Sequence, residues 1–186
     1  VLVRKEIRLD MGRIIAVANQ KGGVAKTTTA VNLSSSLVAR GKKVLLVDLD
    51  PQGNATSGSG IMKHRLTRCI YDVIINEEDI NNIIIETELK NFFVAPARIE
   101  LAGAEIELVS QFYREGKLAA ALNPIKDQYD FIIIDCPPSL GLLTLNALCA
   151  ATDVLIPIQC EYYALEGLSL LMNTLDKVNR SINKNL

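Results

Sequence analysis

Short apolar runs alternate along this chain with stretches in which apolar residues recur every three or four positions. The runs over residues 14–18, 44–47 and 131–134 are almost wholly aliphatic, which is typical of strands covered on both faces of a sheet. Strands that alternate with helices predict a parallel sheet with right-handed crossovers. We therefore expect an α/β protein with a doubly wound, mostly parallel sheet flanked by helices.

The same patterns predict the remaining elements. Further strands are expected over residues 91–95 and 153–157, and helices over 70–75, 99–109, 117–125, 142–150 and, as one long helix, about 165–178. Residues 55–68 are mostly small or polar and predict a mobile loop. Residues 1–10 show no start signal and are interpreted as an N-terminal extension, which leaves residues 11–186 as one domain.

Composition and charge narrow the class of protein. The chain has 186 residues, 49% hydrophobic, with a formal net charge of -1, so overall charge gives no reason to bind nucleic acid. Its apolar runs are too short to span a bilayer, and no segment has a signal-peptide layout, so a cytoplasmic protein without a membrane partner is expected. Four cysteines without C-x-x-C spacing predict reduced core thiols, and the single histidine, His64, is expected on an exposed loop.

A glycine-rich segment lies between the first predicted strand and a helix that begins near Thr27. Two glycines let the backbone turn close to an anion, and the free amides of a helix N-terminus favour negative charge. We therefore predict a phosphate site, with Lys26 on the terminal phosphates and Thr27 offering its hydroxyl to Mg²⁺. The segment consists of Lys21, Gly22, Gly23, Val24, Ala25, Lys26, Thr27 and Thr28.

This segment departs from the general phosphate-binding loop G-x-x-x-x-G-K-[ST], since Gln20 and Ala25 occupy the glycine positions. It matches the deviant Walker A form K-G-G-x-G-K-[ST]-T except at Ala25, with Lys21 as the additional lysine. If residue 25 has a positive φ, its Cβ costs about 1 to 2 kcal/mol. Nucleotide binding would then be weakened.

Three aspartates come at the ends of predicted strands, where ligands bind in open parallel sheets. Any one of them could simply cap the next helix, but the set together with the glycine loop indicates a site. Asp135 is predicted to hold Mg²⁺ directly or through water, and Asp48 to support the metal. Asp50 is placed to orient the attacking water, while Lys21 and Lys26 supply positive charge.

These motifs resemble those of the ParA/Soj family of partitioning ATPases, which are P-loop NTPases with a deviant Walker A motif. The resemblance rests on residues 21–28, on 47–56 (VDLDPQGNAT) and on 134–139 (IDCPPS), and it extends to 157–168 (PIQCEYYALEGL). It implies ATP and Mg²⁺ as ligands and an ATP-dependent homodimer in which Lys21 reaches the partner's nucleotide.

The resemblance also implies a ParB-type partner that stimulates a weak ATPase. It further implies non-specific DNA binding, a role in plasmid or chromosome partitioning, and nucleoid association of the full-length form. Family members continue beyond the position of Leu186 into a region that carries base contacts and the basic DNA-binding surface. We therefore expect that this chain lacks that C-terminal part.

Other functions stay open on sequence grounds. A nucleotide-binding regulatory module with little turnover would fit Ala25, although Asp50 argues for hydrolysis. A MinD-like ATPase would need an amphipathic membrane-binding tail, and iron-sulfur reductases or scaffolds would need interface cysteines or a C-x-x-C pair, none of which is visible. A metabolic ATP-dependent synthase of related fold would need a substrate pocket that no residue pattern identifies.

Overall fold

The structure is a computed structural model that describes residues 12–159 and 164–186. The predicted extension over residues 1–10 and Cys160 lie outside these residues. The described chain forms one six-stranded sheet with spatial order β3-β4-β2-β5-β1-β6. Every strand pairing is parallel except β3 with β4. The strands are β1 (Arg13–Val17), β2 (Val44–Asp48), β3 (Ile85–Glu86), β4 (Phe92–Ala95), β5 (Phe131–Asp135) and β6 (Asp153–Leu155).

Helices flank this sheet, and short 3-10 turns connect several of them. None of the helices in the described part of the chain is long and apolar enough to cross a membrane. The predicted fold class, a doubly wound and mostly parallel α/β sheet, is confirmed. The helices are α1 (Lys26–Val38), α2 (Asn54–Gly58), α3 (Ile70–Ile75), α4 (Leu101–Glu107), α5 (Lys117–Leu122), α6 (Leu142–Ala150) and α7 (Ala164–Ser181).

The central strands explain why their sequences are continuously apolar. All five residues of β2 are buried. Leu45 and Val47 pack into the larger core cluster, with residues from α3 to α6, whereas Val44 and Leu46 pack into a second cluster with Ala30 of α1. Since alternate side chains point to opposite faces, both faces of β2 need apolar residues.

The register of these strands places the functional residues. Asp135, at the end of β5, lies between Val17 of β1 and Asp48 of β2 in the parallel register. The amide of Leu49 donates a 2.9 Å hydrogen bond to the Asp135 carbonyl. The ends of three neighbouring strands therefore meet at one edge of the sheet.

The structure corrects several element predictions. Residues 55–68 are not simply a loop, because they contain most of α2 and a 3-10 turn, Lys63–Arg65. Strand β3 was not predicted, since it has only two residues and pairs antiparallel at the sheet edge. Helix α4 ends at Glu107 and continues as a 3-10 turn. Helix α5 and strand β6 end two residues before Pro124 and Pro157, neither of which has a backbone N–H to continue the hydrogen bonding of its element.

Candidate functional site

The glycine-rich loop joins β1 to α1 and presents an open backbone. Gly23 has φ 74°, and Ala25, which precedes the first residue of α1, has φ 63° and ψ 31°. A Cβ at Gly22 or at Gly23 would meet no heavy atom within 4 Å. The space beside both glycines is therefore free for an anion, and the amides of the helix N-terminus favour one there. Ala25 therefore has the positive φ at which its Cβ is expected to be strained.

Two side chains that sequence analysis missed hold this loop in place. The Asn19 side chain donates a 2.8 Å hydrogen bond to the Pro157 carbonyl and accepts a 3.0 Å hydrogen bond from the Lys21 amide. The Gln159 side chain donates a 3.0 Å hydrogen bond to the Gly23 carbonyl. The segment after β6 thus buttresses the loop. Asn19 lies two residues after the end of β1, and a polar residue at this position after a strand is the signal that could have identified it.

Lys26 is the buried cation of the site. The residue is 7% exposed, and Nζ donates a 3.0 Å hydrogen bond to the Lys21 carbonyl. Burial lowers the pKa of the Lys26 ammonium, while the charges of Asp135 and Asp50 raise it. Lys26 therefore lies within electrostatic reach of both predicted carboxylates, as a residue that compensates triphosphate charge must.

Asp135 is a buried carboxylate with unused hydrogen-bonding capacity. It is 0% exposed, and neither side-chain oxygen has a hydrogen-bond partner among the residues that the structure describes. Burial raises the pKa of Asp135 to about 7. The nearby Thr27 hydroxyl opposes this shift, although neither Asp135 oxygen accepts a hydrogen bond of ordinary geometry from it. A buried carboxylate without a partner is costly, so these oxygens are suited to a cation.

The donors around Asp135 fit Mg²⁺ held together with a phosphate. Within residues 12–159 and 164–186, no group of three or more His, Cys, Asp or Glu side chains could hold a metal ion. Mg²⁺ is usually bound by one or two protein oxygens together with phosphate and water. The carboxylate of Asp135 and the hydroxyl of Thr27 provide such a pair, and Mg²⁺ would stabilise the charged form of Asp135.

Asp48 has a different environment from Asp135. It is 0% exposed and accepts hydrogen bonds from the Thr56 hydroxyl at 2.7 Å, from the Thr56 amide at 2.8 Å and from the Asp50 amide at 3.1 Å. Burial raises its pKa to about 6, and the hydrogen bonds from Thr56 and Asp50 oppose that shift. The Asp48 oxygens thus already organise the chain after β2.

Asp50 begins the turn that leads into α2. Its side chain accepts a 2.9 Å hydrogen bond from the Gln52 amide, and its carbonyl accepts one of 2.8 Å from Gly53. Gly53 has φ 62°, and a Cβ there would lie 2.9 Å from the Ala97 carbonyl. The Asp50 charge acts on both Lys26 and Asp135. The structure thus brings Asp50 to the same edge as the loop.

Comparison with known proteins places the chain in a family. Residues 12–186 match a family model described as an AAA domain. The chain is 59% identical over 176 residues to the sporulation initiation inhibitor protein Soj of Bacillus subtilis (strain 168), with 95% of this chain and 70% of that protein covered. This chain belongs to the ParA/Soj family of partitioning ATPases. The family predicted from the three motifs is thereby confirmed.

A second ParA/Soj relative is the chromosome partitioning protein ParA of Myxococcus xanthus (strain DK1622). It is 57% identical over 176 residues, and the match covers 95% of this chain. The chain spans 70% of the length of the Bacillus protein and 62% of that of the Myxococcus protein. Functions of the whole relatives are therefore proposals for this chain.

Solved structures with bound nucleotide share the fold. The chain is similar to cobyrinic acid a,c-diamide synthase from Mycobacterium smegmatis with bound ADP and magnesium, at 43% identity and a TM-score of 0.90, covering 95% of this chain and 71% of that one. It is also similar to a plasmid partition protein from Borrelia burgdorferi B31 bound to AMPPNP, at 31% identity and a TM-score of 0.82, covering 90% and 70%.

Proposed function

We propose that this chain is the nucleotide-binding part of a Mg-ATP-dependent ATPase switch that serves chromosome or plasmid partitioning. The observation that carries the proposal is the Asp135 carboxylate, buried with neither oxygen hydrogen-bonded to a described residue. It lies within electrostatic reach of Lys26 and beside Thr27 at the start of α1. A buried anion next to an open phosphate loop is the arrangement expected of a Mg-nucleotide site.

Each residue of the site then has a distinct role. The amides of residues 22–28 and the Lys26 ammonium hold the phosphates, while Thr27 and Asp135 hold Mg²⁺. Bound Mg²⁺ would neutralise phosphate charge and align the triphosphate for attack. Asp50 orients the attacking water. Asp48 supports the metal site indirectly, by fixing the chain that carries Asp50.

The assembly proposed for this site is an ATP-dependent homodimer in which Lys21 contacts the nucleotide of the partner subunit. A ParB-type protein stimulates a weak intrinsic ATPase, and the full-length protein binds DNA without sequence preference. Support comes from relatives named for chromosome partitioning, such as the Myxococcus ParA, and from the position of Lys21 at the start of the phosphate loop.

A second candidate is a nucleotide-binding module with little or no turnover. The observation that favours it is the left-handed backbone at Ala25, with φ 63° at a position where glycine is the unstrained residue. Strain in the loop could impair turnover even with the phosphate-binding residues present. The two candidates differ in whether Asp50 has a function, since only a hydrolysing site needs an oriented water.

Calorimetric titration with ATP, with and without Mg²⁺, tests the phosphate-site assignment. Lys26→Ala removes the buried cation and should abolish Mg-ATP binding while leaving the fold intact. Lys42→Ala is the matched control, since Lys42 is an exposed lysine paired with Asp130 away from the loop, and its ATP affinity should equal that of the parent. Equal affinity for Lys26→Ala and Lys42→Ala would overturn the assignment.

Turnover then separates the two candidates. Phosphate release should be slow for the chain alone and faster when the full-length protein is mixed with DNA and a ParB-type partner. Asp50→Ala should bind ATP and release almost no phosphate. If the parent and Asp50→Ala show the same negligible release under every condition, the module without turnover is the better description.

A further inference from the structure

Helix α6 has its N-terminal cap supplied by a distant residue. Gly141 precedes the helix and has no side chain with which to cap it. Instead, the Glu105 carboxylate from α4 accepts hydrogen bonds from the amides of Leu142 at 2.8 Å and Leu143 at 3.2 Å. We call these two hydrogen bonds the remote cap. A carboxylate at this end of a helix also interacts favourably with the helix dipole.

Gly141 is the residue that makes the remote cap possible. A Cβ at this position would lie 2.4 Å from one Glu105 oxygen and 2.6 Å from the other. Serine, threonine, aspartate or asparagine would normally cap a helix from this position, but any of them would displace Glu105. The sequence thus has a long-range cap in place of a local one.

The remote cap controls one end of the loop that follows Asp135. This post-β5 loop comprises residues 136–141. Its first end is fixed to the sheet, since the Cys136 amide donates a 3.2 Å hydrogen bond to the Val17 carbonyl. Its other end is the first turn of α6, to which Glu105 binds. Within the loop, the Ser139 carbonyl accepts a 2.6 Å hydrogen bond from the Thr144 hydroxyl of α6. The post-β5 loop is therefore held by β5 and α6, and the remote cap ties the α6 end to α4.

The rest of α6 is anchored independently. Asn146 is 0% exposed, and its side chain donates to the Arg114 carbonyl at 2.7 Å and accepts from the Leu118 amide at 3.0 Å. These contacts tie the middle of α6 to α5 and to the chain before it. Loss of Glu105 should therefore loosen the first turn of α6 and the post-β5 loop without unfolding the helix.

We propose that Glu105 is a positioning residue of the nucleotide site, which holds the post-β5 loop in the conformation required for turnover. This proposal rests on the proposed ATPase function. Lys26, Thr27 and Asp135 are held by α1 and the sheet without any contribution from Glu105. Loss of the remote cap should therefore lower kcat for ATP and leave Mg-ATP affinity nearly unchanged.

Three variants separate positioning from simple helix capping. Glu105→Ala removes the remote cap. Glu105→Ala combined with Gly141→Ser gives α6 a local serine cap, and the Glu105 carboxylate that would clash with the serine is absent. The stability of α6 should return, while its link to α4 stays broken. Glu105→Gln keeps one acceptor oxygen and the side-chain shape, and should recover much of the parent's behaviour.

Hydrogen exchange of the Leu142 and Leu143 amides, which donate to Glu105, tests the remote cap without any need for ATPase activity. Exchange should accelerate about tenfold in Glu105→Ala, as for loss of a contact of that strength. In the double variant, the serine hydroxyl should protect the amide of Leu143 or Thr144 again, because an N-cap side chain accepts from the second or third residue of its helix, while the Leu142 amide stays fast. Unchanged exchange in Glu105→Ala would overturn the remote cap even if the protein proves to be an ATPase.

Turnover tests the positioning role. In Glu105→Ala and in the double variant, kcat should fall about tenfold or more, the scale of effect that misplaced groups produce, with Mg-ATP affinity within about twofold of the parent. Recovery of kcat in the double variant together with its melting temperature would show that Glu105 only caps α6, and would overturn the proposal. Absence of turnover in the parent would instead refute the ATPase function on which the proposal rests.

Discussion

The Thr56 hydroxyl donates a 2.7 Å hydrogen bond to the carboxylate of Asp48, and both residues are 0% exposed. The same hydroxyl accepts a 2.9 Å hydrogen bond from the Ala97 amide beyond β4. One hydroxyl therefore joins the end of β2, the start of α2 and the chain after β4. The turn that carries Asp50 is built on this contact.

Replacement of Thr56 by valine should destabilise the fold. Valine keeps the shape and the backbone amide that binds Asp48, but it removes the hydroxyl from the buried carboxylate and leaves the Ala97 amide without its partner, at a cost of roughly 1 to 3 kcal/mol. For a chain of this length, each kcal/mol lowers the melting temperature by about 2 to 4 °C. Thr56→Ser is the control, since it retains the hydroxyl and should melt closer to the parent. Equal melting temperatures for valine and serine variants would show that the hydroxyl contributes nothing.

The buried charge of Asp135 should make stability depend on pH in the absence of Mg²⁺ and nucleotide. Its pKa is raised from 3.8 to about 7. Between these pH values the Asp135 carboxyl is ionised in the unfolded chain but still protonated in the folded chain. Its contribution to the free energy of unfolding is therefore complete below pH 4 and is lost as the pH rises towards 7. Asp135→Asn removes this loss because asparagine does not ionise.

Urea unfolding at pH 5, 6 and 7 measures the effect. The advantage of Asp135→Asn over the parent in free energy of unfolding should grow with pH, by on the order of 1 kcal/mol per pH unit. Comparison with the parent at each pH cancels contributions from other titrating groups. Parallel pH profiles for the two proteins would mean that Asp135 ionises in the folded state as it does in the unfolded chain.

The backbone at Ala25 predicts a stabilising substitution. With φ 63°, its Cβ is strained, and Ala25→Gly should raise the free energy of unfolding by about 1 kcal/mol. Ala39 is a matched control, because it follows the same helix with φ -60°, where glycine should cost about 0.5 to 1 kcal/mol. Thermal unfolding of both variants decides the point: a lower melting temperature for each would mean that Ala25 is not strained.

The local part of this architecture was predictable from sequence. Strands β2 and β5 are continuous apolar runs because both of their faces are buried, and α6 has the predicted bounds, Leu142–Ala150. The glycine loop and the aspartates at strand ends follow from the chemistry of parallel sheets. Family membership followed from the spacing of three motifs.

The long-range contacts were not predictable. Helix α2 was interpreted as a loop because its small and polar residues carry no helical signal, and it forms through the contact of Thr56 with Asp48, eight residues away. Gln159 binds Gly23 across 136 residues, and Glu105 reaches α6 across 37. Hydrophobic periodicity reports local structure, so contacts at such separations leave no trace in it.

Light scattering of Asp50→Ala and Lys21→Ala in ATP and Mg²⁺ is the most direct test of the proposed ATPase switch, because it joins catalysis to assembly. The protein used should match the length of the relatives, of which this chain spans 70% and 62%. Asp50→Ala should accumulate as a nucleotide-bound dimer, because it binds ATP without hydrolysing it. Lys21→Ala should stay monomeric while retaining ATP through Lys26 and Thr27. A monomeric, ATP-bound Asp50→Ala, or a Lys21→Ala that dimerises like the parent, would contradict the two-subunit switch.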